Sequence, residues 1–273
     1  MTTGIEILLF SHDTAYATRA VAAGIDRVIV DWESRGKAER QAGCNTQINH
    51  ATLNDLRSMR AAVGERVICR INNVPGERVA ECRLAVDNGA AEVWLPMVRN
   101  IAEIEECLVA LDGRARMGLM VETREAMRLG RELAQLPLSR AYIGLHDYSI
   151  DGGSRGLFDP ITDGTLDRFR DDYPGAIGFA GVTRPASGSP IPQRLLLAAM
   201  VRLGCAFGVA RRGFLTAVPM ADLDAAVVEI KLEIARLQLR SAAQVARDRA
   251  ALAALIDNIS PRSQPRMDVE CVP

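Results

Sequence analysis

An α/β fold, in its closed (β/α)8 barrel form, is what this sequence predicts. Eight short apolar runs alternate with stretches whose apolar residues recur every three or four positions. The runs are rich in Val, Ile, Leu and Met with little alternation, as expected of strands buried on both faces. The length of 273 residues suits a single barrel, which typically needs about 250. An open doubly wound sheet is the alternative, but no G-x-G-x-x-G follows the first run.

The predicted strands are Glu6–Ser11, Arg27–Glu33, Arg66–Asn72, Glu92–Val98, Arg116–Thr123, Arg140–Asp147, Ala176–Arg184 and Cys205–Phe214. Between them Thr14–Ala23, Thr52–Val63, Val79–Asn88, Ile101–Leu111 and Arg124–Leu136 read as amphipathic helices. Gly24, Gly64, Gly89 and Gly204 fall where helices need a left-handed end. Ser34–His50 is a long polar connection placed to cover a site, and Ile150–Asp163 is either a lid or a solvated loop. From about residue 220 to 259 the chain reads as an extended helix or helix pair, expected to pack on a neighbouring subunit. Residues 1–259 are expected to form one barrel domain including that extension, and 260–273 a disordered tail.

Composition excludes several classes. The net charge of −1 gives no electrostatic case for nucleic acid or an anionic membrane. No apolar run approaches membrane-spanning length, and no N-terminal targeting signal is visible. Six scattered cysteines without C-x-x-C spacing read as thiols in a reducing cytosol. Lysine occurs only at positions 37 and 231, neither on a predicted strand. A Schiff-base aldolase needs a desolvated pocket lysine, so carbonyl activation is expected from a metal instead.

In a barrel, residues at the strand C-termini line the active site. That rule selects Ser11, His12, Asp31, Glu33, Arg70, Asn72, Pro96, Met97, Glu122, His146, Asp147, Thr183, Arg184, Arg211 and Arg212. Glu122 and Asp147 end consecutive parallel strands, close enough to share a divalent cation such as Mg²⁺. Taken singly, each reads equally well as a cap for the following helix. Arg40 and Gln41 in the polar loop are either substrate contacts or solvated charges, and Arg211 either an anion contact or part of a salt bridge beneath the site.

Five motifs carry a family resemblance: Asp31-Trp32-Glu33, Cys69-Arg70-Ile71-Asn72, Leu95-Pro96-Met97-Val98, Met120-Val121-Glu122-Thr123 and Gly144-Leu145-His146-Asp147. In order and spacing they resemble the HpcH/HpaI aldolase and citrate lyase beta-subunit family, a phosphoenolpyruvate/pyruvate-type barrel, over roughly residues 5–215. The resemblance implies Mg²⁺ or Mn²⁺ and a 2-oxo acid or acyl-thioester substrate. It makes Glu122 and Asp147 the metal ligands and Arg70 the contact to the substrate's oxyanion or carboxylate. Asp31 and Glu33 become the acidic pair that orders water and proton transfer, and Asn72, Pro96 and Met97 fall among the substrate contacts. Assembly as a homo-oligomer, trimer or hexamer, is implied as well.

Two positions depart from that pattern. Ser34 stands where the family's aldolases place an acid/base histidine and its citrate lyase branch an aspartate. Met120 stands where a glutamine usually precedes the metal-binding glutamate. His12, His146 and His50 are the substitutes available for proton transfer. His146 is expected to point away from Asp147 if the strand stays extended. The expected function is therefore a divalent-metal-dependent carbon–carbon lyase or aldolase acting through the enolate of a 2-oxo acid. Thioester cleavage or condensation, oxaloacetate-type decarboxylation, and a barrel that binds a 2-oxo acid without turnover are the alternatives.

Overall fold

The computed structural model describes residues 4–35, 51–154, 156–211 and 213–259. Lys37, Arg40, Gln41, His50, Arg212 and the 260–273 tail lie outside the described residues. Eight parallel strands close into a barrel in sequence order. They are β1 (Glu6–Phe10), β2 (Arg27–Asp31), β3 (Val67–Arg70), β4 (Glu92–Leu95), β5 (Arg116–Val121), β6 (Leu138–Ile143), β7 (Ile177–Val182) and β8 (Phe207–Ala210). This is a (β/α)8 barrel, as the alternation of runs predicts.

Helices α1 (Thr14–Ala22), α2 (Leu53–Val63), α3 (Arg78–Asp87) and α4 (Ile101–Leu111) follow the first strands on the outside. Their starts are chemically marked. Asp13 accepts from the Tyr16 amide, Asn100 from the Glu103 amide, and Thr52 with Asp55 forms a reciprocal capping box. Gly24, Gly64, Gly89 and Gly204 all take positive φ, as the helix-end reading requires.

Two predicted elements are corrected. Arg124–Leu136 is not one helix but two short ones, α5 (Arg124–Arg128) and α6 (Gly130–Leu133). The break falls at Leu129, just before Gly130, where a Cβ would lie 2.8 Å from the Asp172 Cβ. The glycine permits that close approach and weakens the helix. The second correction bears on function. Arg140–Asp147 is not a strand throughout: β6 ends at Ile143, Gly144 is the N-cap, and Leu145–Ile150 forms the helix α7. Helix α8 (Thr165–Asp172), helix α9 (Gln193–Arg202) and the single turn α10 (Phe214–Ala217) complete the outer layer. The C-terminal stretch is a helix pair, α11 (Leu223–Gln238) and α12 (Ala242–Ile259), and α12 packs on α9. No described helix is long and apolar enough to cross a membrane.

The larger core lies between strands and helices. A second cluster fills the barrel itself: Leu8, Ile29, Ile68, Trp94, Met120, Tyr142, Phe207 and Val209. These are alternate residues of their strands, so the barrel-facing column can be followed up each strand in steps of two. Gly118 and Gly178 make room for the large rings: a Cβ at Gly118 would lie 2.5 Å from the Trp94 ring, and one at Gly178 2.1 Å from the Phe207 carbonyl oxygen. Below this layer, Glu92 is fully buried and meets Arg140 Nε at 2.9 Å and the Trp94 indole N–H at 2.8 Å. Above it the same columns deliver Asp31, Arg70 and Glu122 to the C-terminal mouth.

Candidate active site

A cavity of about 390 Å³ opens at this mouth. Its lining includes Ser11, His12, Asp31, Arg70, Met120, Glu122, Gly144, His146, Asp147 and Arg211. The strand registers explain the grouping. Asp31 is paired directly with Arg70 across β2 and β3, and Val121 with Ile143 across β5 and β6. Glu122 and Gly144 therefore leave the sheet side by side.

Arg70 anchors one side. Its Nε donates to Asp31 Oδ1 at 2.7 Å and its Nη2 to Asp31 Oδ2 at 2.6 Å. Nη1 lies 3.0 Å from Glu33 Oε2 and 3.6 Å from the Met120 sulfur. The guanidinium carbon stands 4.8 Å over the Phe10 ring, a cation–π arrangement. Burial by itself would lower the pKa of Arg70, but Asp31 and Glu33 outweigh it and the net shift is upward. Asp31 Oδ1 also accepts from the Glu33 amide at 3.1 Å. The triad is thus a buried, fixed array with net negative charge. A substrate oxygen can use only the Nη hydrogens left over from the carboxylates.

Glu122, two strands along at the end of β5, is 1% exposed. Its Oε1 accepts from the Met97 amide at 2.8 Å. Met97 is held at a φ of +50°, a conformation unusual for a side-chain-bearing residue. That backbone twist aims its N–H at the carboxylate. Glu122 Oε2 is buried and has no hydrogen-bond partner among the described residues. Burial, then Asp147, then Glu33, raise the Glu122 pKa to about 8, against the lowering effects of Arg70 and the Met97 amide. The helix-cap alternative for Glu122 does not hold: Thr123 is the N-cap of α5, accepting from the Ala126 amide.

Asp147 lies in the first turn of α7, not at a strand tip. The expectation that His146 points away from it is corrected for the same reason. Successive helical residues are separated by about 100° of rotation, not by the half-turn of a strand. Both His146 and Asp147 line the cavity, and His146 Nδ1 is buried without a hydrogen-bond partner among the described residues. His12 is exposed at the rim of the same cavity.

Other predicted residues fall elsewhere. Asn72 is engaged internally: Nδ2 donates to Glu81 and to the Trp32 carbonyl, and Oδ1 accepts from the Ser34 and Arg35 amides. It pins the start of the loop after β2 and does not line the cavity. Pro96 is buried and Arg184 pairs with Glu229, and neither they nor Met97 are in the lining. Lys231 reaches Asp26, also outside it. Phe10, Tyr142, Ala180, Leu215 and Thr216 line the cavity without having been selected from the sequence. Period-two counting up β1, β6 and β7 from the barrel core is the signal that would have found the first three.

The residues present suit a hard divalent cation. Among the described residues, no group of three or more His, Cys, Asp and Glu side chains forms a ready-made metal cage. Mg²⁺ does not require one: it commonly takes one or two carboxylates and leaves its other positions to water and substrate. The partnerless Oε2 of Glu122, in the field of Asp147, is the donor such an ion would use.

No protein-family model matches the sequence, and none of the curated proteins does. Solved structures do share the fold. A citrate lyase from Burkholderia xenovorans LB400 superposes with a TM-score of 0.57 at 14% identity, over 93% of this chain and 82% of that one. Citrate synthase SbnG gives 0.56 at 15% identity, over 78% and 89%. A 3-hexulose-6-phosphate synthase from Salmonella typhimurium gives 0.58 at 13%, over 85% and 100%. At these identities the likeness establishes the (β/α)8 barrel, a fold that hosts many chemistries.

Proposed function

We propose that this protein is an enzyme, a divalent-metal-dependent carbon–carbon lyase of the HpcH/HpaI and citrate lyase beta-subunit kind, acting on a 2-oxo acid through its enolate. The observation that carries this reading is Glu122 Oε2, buried, without a hydrogen-bond partner among the described residues, and in the field of Asp147 and of an arginine braced by two carboxylates. Such a carboxylate is costly to ionise in isolation, and a cation offsets that cost. Glu122 and Asp147 would hold Mg²⁺ or Mn²⁺, which supplies positive charge at the carboxylate and carbonyl oxygens of a 2-oxo acid.

The chain's own groups perform the rest. Arg70 presents its remaining Nη hydrogens to the oxygen on which charge develops. Asp31 and Glu33 keep the guanidinium oriented and charged. His146, whose Nδ1 has no hydrogen-bond partner among the described residues, is the candidate in the cavity wall to exchange a proton with the departing or entering group. Decarboxylation of an oxaloacetate-like acid is the second reading, favoured by Ser34. Its amide is tied to Asn72 at 2.9 Å, and its position carries no acid/base side chain.

Assembly is proposed on separate ground. On α11 and just past its end, Val228, Leu232 and Leu239 are exposed, and with Ala225 before them and Ala235 among them they recur at three- and four-residue spacing. That spacing is the seam pattern of helix-on-helix packing, and a second copy of this chain is the partner we assign to it.

The deciding experiment measures oxaloacetate decarboxylation and pyruvate methyl-proton exchange in deuterated water, with and without Mg²⁺ or Mn²⁺. Metal-dependent turnover that Glu122→Gln abolishes is the expected result. Unchanged turnover in that variant, or no cation binding by the wild type, would overturn the proposal.

A further inference from the structure

Among the described residues two arginines line the cavity, and their situations differ. Arg70 is neutralised by Asp31 and Glu33. Arg211 has no carboxylate partner among the described residues. Elsewhere on this face Arg184 is paired with Glu229, so an unpaired arginine is not the rule here.

The position of Arg211 follows from its strand. Phe207 and Val209 of β8 point into the barrel. The next residue in that column is Arg211. Its amide still donates to the Val182 carbonyl at 2.9 Å, so the β7–β8 pairing runs on one step past the end of β8. The side chain therefore continues the inward column above Val209. The guanidinium then lies alongside the turn before α10, where a Cβ at Gly213 would be 3.8 Å from its Nε. Glu122 and Asp147 belong to the β5–β6 side of the cavity and Arg211 to the β8–β1 side. Space of about 390 Å³ is more than a three-carbon acid needs.

We propose that Arg211 receives a second anionic group of the substrate, carboxylate or phosphate, held across the barrel mouth from the group that the Glu122 and Asp147 side binds. This rests on the proposed function and narrows its substrate class to 2-oxo acids, or their aldol adducts, that carry a negative charge at the far end. A planar guanidinium without an internal partner is suited to that contact. Thr216 and His12, on the same wall, provide further hydrogen-bonding groups.

The test is calorimetric binding to the full chain with saturating Mg²⁺, using 2-oxobutyrate, 2-oxoglutarate and phosphonopyruvate as probes and oxalate as the head-group control. The wild type is expected to prefer the doubly charged acids by on the order of 10- to 100-fold. The stronger of the two identifies carboxylate or phosphate. Arg211→Gln brings the preference close to one and Arg211→Lys retains part of it. Arg184→Gln, which alters an arginine outside the cavity, leaves it in place. Equal binding of 2-oxobutyrate and both doubly charged acids by the wild type would overturn the inference while sparing the proposed function. So would a preference that survives in Arg211→Gln. If the wild type binds neither oxalate nor any 2-oxo acid, the proposed function fails and this inference fails with it.

Discussion

Gly144 stands where any Cβ would lie 2.5 Å from Glu122 Oε2 and 2.6 Å from Glu122 Cβ. The backbone at the end of β6 and the partnerless carboxylate are packed in direct contact. Gly144→Ala must therefore displace Glu122 or move the start of α7, which carries His146 and Asp147. We expect it to lower Mn²⁺ affinity by about 10- to 100-fold, the usual effect of disturbing groups that orient a metal ligand. Titration calorimetry with Mn²⁺ checks this, and an unchanged affinity would show that Glu122 does not contribute a metal-binding oxygen.

The raised pKa of Glu122 makes a prediction about pH and stability. Its ordinary value is 4.5 and the folded value about 8. Between these the folded state binds more protons than the unfolded one, so stability falls as pH rises. The contribution is complete below about 4.5 and lost as pH passes through about 8. Thermal melts in the presence of a chelator, from about pH 5 to about 9, should show this decline in the wild type and a flatter curve in Glu122→Gln. Added Mn²⁺ should stabilise most at the alkaline end, where no proton has to be displaced.

Arg70 has a structural role that complicates any activity assay. Removing one partner of a buried ion pair leaves the other charged and unpaired, at a cost of about 3–5 kcal/mol. Arg70→Ala strands both Asp31 and Glu33. Urea denaturation should show a loss of that size, and Arg70→Lys a smaller one, because it keeps the charge but not the two-pronged contact with Asp31.

His146→Asn tests the proton-transfer assignment. Expected is a fall of about 10²- to 10⁴-fold in pyruvate methyl-proton exchange, with Mn²⁺ affinity held within a few-fold. A variant that exchanges protons at the wild-type rate would move the role to His12 or to solvent.

Leu232→Glu places a charge in the middle of the exposed seam on α11. Light scattering should report a smaller species than for the wild type, with the melting temperature of the barrel little changed. A wild-type chain that is already monomeric would remove the proposed self-association.

Much of the architecture was legible beforehand because a two-sided buried strand and an amphipathic helix leave opposite signatures in apolar spacing. The runs containing Val28–Val30, Val67–Cys69 and Val93–Leu95 needed no structural help. Failures clustered at strand ends. β6 ends at Ile143, four residues before the predicted limit, where Gly144 packs against Glu122 and the chain turns into α7. The helix breaks at Leu129 although its apolar spacing is continuous, next to Gly130, where Asp172 packs close to the backbone. In both places a long-range contact overrides a local preference.

The sequence alone determined that strands and helices alternate eight times and that carboxylates and arginines gather at one end of the strands. It also determined that no lysine is placed for Schiff-base chemistry on a strand. Which of those residues face one another was decided only by closure of the barrel. Closure set Asp31 in register with Arg70, turned His146 and Asp147 into the same cavity, and withdrew Asn72 and Arg184 into internal contacts. It also left Arg211 without a carboxylate partner among the described residues. Strand spacing in sequence carries the face and height of a residue, whereas pairing across the barrel depends on register and on how the loops turn. Those are products of the packed whole.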